Sequence, residues 1–112
     1  MSDLYNEQAI INLMQSAKQL LNMCQQKNID VCNLFVETLK YLKTQYPSFA
    51  STADIEIERT KEYYDVMEWN EGTLRSNDKW FGVIEYNIKS SFGALYKIIL
   101  TVNPSLQKYI NK

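Results

Sequence analysis

The residues that could do chemistry are few, and one absence limits them. The chain contains no histidine. That removes the usual general base near neutral pH, the Ser-His and Cys-His nucleophile pairs, and mixed Cys/His zinc sites. What remains is two cysteines, a run of carboxylates and a group of aromatic rings.

Cys24 and Cys32 stand four residues on either side of Asn28. If Asn28 centres a tight turn between two helices, the thiols lie at similar heights on facing helices. A disulfide is then geometrically feasible. Two small buried thiols are the other reading, and a cytosolic chain favours it. Two soft ligands are too few for a metal site, and no redox Cys-x-x-Cys occurs.

Glu58, Glu62 and Asp65 stand at i, i+4 and i+7, so they share a helical face. With Glu85 they could hold magnesium against a phosphorylated substrate. Glu68-x-x-Glu71 begins a four-carboxylate magnesium pattern, but Ile88 stands where the partner of Glu85 should be acidic. The simpler reading is a solvated acidic face beside Arg59 and Lys61. No metal and no cofactor are expected.

The aromatic group is the best site the sequence offers. Tyr63, Tyr64, Trp69, Trp80, Phe81 and Tyr86 gather around the turn-rich segment Asn70–Asp78. Tyrosine and tryptophan add large apolar area and keep a polar handle, which suits contact surfaces. Arg75 adds a guanidinium that could clamp a partner carboxylate. Tyr64, Trp69, Arg75 and Trp80 are therefore the expected partner-binding residues, with Phe81 assigned to the core.

The elements that must position these residues are helical. Ile10, Leu13, Met14, Ala17, Leu21 and Cys24 recur at steps of three and four, one face of a helix from about Asp3 to Lys27 capped by Ser2 or Asp3. Asp30 is the expected cap of a second helix, Val31 to Tyr46, striped by Cys32, Phe35, Val36, Leu39, Leu42 and Tyr46. Pro47 ends it. Ser51 with Asp54 resembles a capping box for a third helix reaching Trp69, whose weaker stripe is Ile55, Arg59, Tyr63, Val66 and Met67. Asn77 or Asp78 caps a fourth helix to Val102, with Phe81, Ile84, Ile88, Phe92, Leu95, Ile99 and Val102 on one face. Asn103 and Pro104 open a short fifth helix through Ile110. Gly82 and Gly93 lie three turns apart, which suggests close approach of another helix, within the bundle in preference to across a homodimer.

The predicted fold is all-α: one domain over residues 1–112, a small antiparallel four-helix bundle with a short C-terminal fifth helix. The alternative is α+β, with short strands near 54–58 and 80–88, where polar and apolar residues alternate.

Composition narrows the partners. The 112 residues carry 12 basic and 13 acidic side chains, a net charge of -1, with 46% hydrophobic residues and only 3 glycines and 2 prolines. Disorder is not expected. Nucleic acid is not an expected partner, because lysines do not gather on one face and Arg59 and Arg75 are the only arginines. No apolar run is long enough to span a membrane, and the first residues lack a signal peptide, so a cytoplasmic location is expected. Abundant Asn, Lys, Ile and Tyr suit an AT-rich gene, such as one from a phage, virus or mobile element. The leading expectation is a non-catalytic protein-interaction module: an adaptor, a chaperone-like binder or an inhibitor. The alternatives are a magnesium-dependent nucleotide or phosphate hydrolase built on the clustered carboxylates, and a structural homo-oligomer such as a homodimer.

Overall fold

The described residues form four long helices and a short fifth. The computed structural model describes residues 3–69 and 78–110. A 3-10 turn at Asp3–Tyr5 leads into α1 (Glu7–Gln25), and α2 (Val31–Gln45) comes next. A second 3-10 turn at Pro47–Phe49 runs into α3 (Ala50–Trp69). α4 (Asp78–Val102) is the longest helix, and a third 3-10 turn at Pro104–Leu106 precedes α5 (Gln107–Ile110). No strand occurs among the described residues, and both segments of the α+β alternative are helical.

Specific ties fix the direction of each helix. Lys43 at the end of α2 pairs with Asp54 near the start of α3 at 2.6 Å. The Trp80 indole N–H at the start of α4 donates to the Tyr63 carbonyl near the end of α3 at 2.8 Å. The Asn103 amide after α4 donates to the Tyr5 carbonyl before α1 at 2.9 Å. Each consecutive pair is therefore antiparallel, and the four helices form an up-down-up-down bundle. α2 packs most extensively on α3 and α1 on α4, and α1 touches α2 less than either of these pairs.

The core matches the sequence stripes in α2 and α4. Cys32, Phe35, Val36, Leu39, Leu42 and Tyr46 are all buried, as are Phe81, Ile84, Ile88, Phe92, Leu95 and Ile99. Each such aliphatic or aromatic side chain stabilises the fold by about 1.5–3 kcal/mol. Val102, by contrast, is exposed, because the α4 stripe outlasts the helices it faces. In α1, Leu20 is buried and Met14 is largely outside, so the stripe is rotated slightly from the expected one.

α3 departs furthest from expectation. Its buried face is Ala53, Glu56, Ile57 and Thr60, while Ile55 and Arg59 are exposed. The face that packs carries two polar residues, so apolar spacing alone misplaced it. Glu56 and Thr60 of α3, with Asn87 and Ser91 of α4, are the buried polar residues of the molecule's described part.

The helix ends also differ from those expected. Asn6, not Ser2 or Asp3, caps α1: its side-chain oxygen accepts from the Ala9 amide at 2.9 Å. Asp30 makes no capping bond; the Asn28 side chain instead accepts from the Asp30 amide at 3.0 Å, an Asx turn. Ser51 lies inside α3, and Asp54 is engaged with Lys43, so no capping box forms. Asn103 turns its amide to Tyr5 and makes no side-chain cap on the 3-10 turn at Pro104–Leu106. The proposed Asn77 cap lies outside the described residues.

α1 ends in a Schellman motif. The Asn28 amide bonds the Met23 carbonyl at 2.9 Å and the Lys27 amide bonds the Cys24 carbonyl at 3.1 Å. Lys27 sits in the left-handed position with φ 57°. Gly82 and Gly93 are not close-approach sites, because a Cβ at either would meet nothing within 4 Å.

Candidate functional site

Of the residues expected to form an aromatic surface, the described part of the structure buries Trp80. Trp80 is only 4% exposed; its indole packs edge-on against Phe81 at 4.8 Å and its N–H is spent on Tyr63. That side chain holds α3 to α4 and cannot also be a contact surface. Tyr64 is half-buried beside a recess of ≈ 70 Å³ that it shares with Cys32, Thr60 and Lys61. Trp69 ends α3; its side chain and Arg75 lie outside the described residues.

The carboxylates do not converge. Glu58, Glu62 and Asp65 are exposed on the outer side of α3. Glu85 belongs to a different place: it pairs with Lys89 at 3.0 Å, and its charge bears on Cys24 across the α1–α4 contact. Among the described residues, no three acidic or sulfur side chains gather around a common point suited to a metal.

Cys24 and Cys32 are buried free thiols rather than a disulfide. Burial pushes the Cys24 thiol up to about 11, with the Glu85 charge adding to the rise and Lys27 opposing it. Burial pushes Cys32 up to about 12, aided by Cys24 itself. Thiols this hard to ionise are poor nucleophiles.

The feature with the shape of a binding site lies elsewhere, between α1 and α2. The two helices leave the 26–30 turn with little direct contact, and the residues that line the space between them lie near the start of α1 and the end of α2. The result is a groove of ≈ 420 Å³, within the usual size of a ligand cleft. Its floor is apolar, with Leu13, Leu42 and Tyr46 buried beneath it. Its walls are Gln8, Asn12 and Ser16 from α1, and Thr38, Tyr41 and Gln45 from α2. Among the described residues no lysine, arginine, aspartate or glutamate lines it.

One end of the groove is closed by a clasp. The Tyr46 hydroxyl donates to the Leu4 carbonyl at 2.7 Å, and the Tyr5 ring meets Tyr46 edge-on at 5.6 Å. Part of the lining is already committed: Gln8 donates to Asn12 at 3.0 Å, and the Thr38 hydroxyl to the Leu34 carbonyl at 2.8 Å. The side chains of Ser16, Tyr41 and Gln45 make no hydrogen bond among the described residues. Tyr41 is 62% exposed, an unusual amount for a large ring beside a buried floor. A second apolar depression, at Ile11, Met14 and Tyr109, includes Lys18 and has no buried residue in its lining.

Apolar periodicity did not reveal this groove. A signal was nonetheless present. Gln8, Asn12 and Ser16 repeat every four residues, and Thr38, Tyr41 and Gln45 fall at i, i+3 and i+7, so two uncharged polar stripes flank the apolar ones.

Comparison with known proteins adds no guide to the site: no family model, curated protein or solved structure matches the chain. No helix among the described residues is long and apolar enough to cross a membrane.

Proposed function

We propose that this protein is a non-catalytic interaction module whose contact site is the α1–α2 groove. The observation that carries this reading is the groove itself: an open cleft with a buried apolar floor, uncharged polar walls and an exposed tyrosine at its edge. Apolar floors supply binding energy, and scattered polar groups supply orientation. The reactive groups support the same reading. The thiols are buried and the outer carboxylates of α3 are dispersed in solvent, so neither set is arranged for catalysis.

The test is capture of partners from the native host with the wild-type chain and two surface variants. Tyr41→Ala removes the exposed ring and Asn12→Arg places a charge on the groove wall. Both residues are exposed, so the fold is retained, as circular dichroism would verify. Loss of the same partner from both variants, with retention by a Tyr86→Ala control on the far side of α4, supports the groove. Retention of every partner by both groove variants removes it as the contact site.

A further inference from the structure

We draw no further inference here: the strongest candidate, the buried polar side chains that α3 and α4 carry at Glu56, Thr60, Asn87 and Ser91, already has Arg59 as the counter-charge of its one carboxylate, and nothing in the structure shows a ligand that these side chains would hold.

Discussion

Tyr46 Oη donates to the carbonyl oxygen of Leu4 at 2.7 Å, joining residues 42 apart in sequence. The bond ties the 3-10 turn before α1 to the last residue of the α2 stripe. Tyr46→Phe keeps the ring and removes the donor. It should cost about 1 kcal/mol, the net value of such a bond plus the stranded carbonyl. Urea unfolding checks this as a lower midpoint at unchanged slope. An unchanged midpoint would mean that the clasp adds nothing to stability.

Alkaline conditions should unfold the protein before acid does its damage to these groups. Burial pushes Tyr46 and Tyr96 up to about 12, Cys32 to about 12 and Cys24 to about 11. Each is neutral in the fold and ionises more readily once unfolded. The stability they contribute is thus complete below their ordinary values, 9 for the thiols and 10 for the phenols. It is lost as pH rises from there through the folded values. Melting temperature should be flat from neutrality to about pH 9 and fall beyond it. Replacing both cysteines with alanine should delay the onset toward pH 10.

The same thiols should resist modification. Iodoacetamide at mildly alkaline pH should label neither Cys24 nor Cys32 in the native protein, and both in urea, as read by intact mass. Rapid labelling of the native chain would contradict their burial and raised ionisation.

Glu56 is the one buried carboxylate among the described residues, 6% exposed, with Oε2 paired to Arg59 at 3.1 Å and Oε1 unpartnered. Burial raises its pKa, against the opposing charge and hydrogen bond of Arg59. The fold therefore favours the protonated acid, and Glu56 contributes most at low pH and loses that contribution as pH rises through its folded value. Glu56→Gln should stabilise the protein at pH 7 and much less in acid. Thr60→Val, which removes an unpartnered buried hydroxyl, should stabilise at either pH by up to about 1 kcal/mol. Destabilisation at pH 7 by both substitutions would show that these buried polar groups on α3 are internally satisfied.

Lys27 occupies a left-handed position that glycine adopts without penalty. Lys27→Gly should raise stability by about 0.5 kcal/mol, because relief of backbone strain exceeds the added freedom of the unfolded chain. The Lys27 ammonium lies 5.8 Å from the Phe81 ring centre, an exposed contact that offsets part of the gain. Lys27→Val should instead destabilise by more than about 1 kcal/mol, the cost of a branched residue there. Equal stability of the two variants would count against the Schellman end of α1.

Much of the architecture was legible in the sequence where burial is uniform. α2 presents apolar residues at each core position and α4 an unbroken apolar stripe from Phe81 to Ile99, so period alone located Phe35, Leu39, Ile88 and Leu95. α3 was not legible to the same degree, because its packed face carries Glu56 and Thr60 while Ile55 is exposed. The caps failed for a different reason. Asn, Asp and Ser side chains have several partners to choose from, and Asp54 and Asn103 took Lys43 and the Tyr5 carbonyl. Trp80 was misread because a buried indole and an exposed one look alike until the Tyr63 carbonyl is seen beside it. The groove depends on how α1 and α2 sit against each other, which is set by tertiary packing rather than by either helix.

The clasp around the start of α1 has a topological corollary. Leu4 and Tyr5 are gripped by Tyr46 and Asn103, and Glu7 receives a hydrogen bond from Tyr109. The first and last helices thus meet at one pole, opposite the 26–30 turn. A short linker joining residues near 4 and 110 would span little distance, and new ends cut into that turn would leave every helix in its place. The order in which the ribosome delivers the helices is, for this bundle, separable from the order in which they stand.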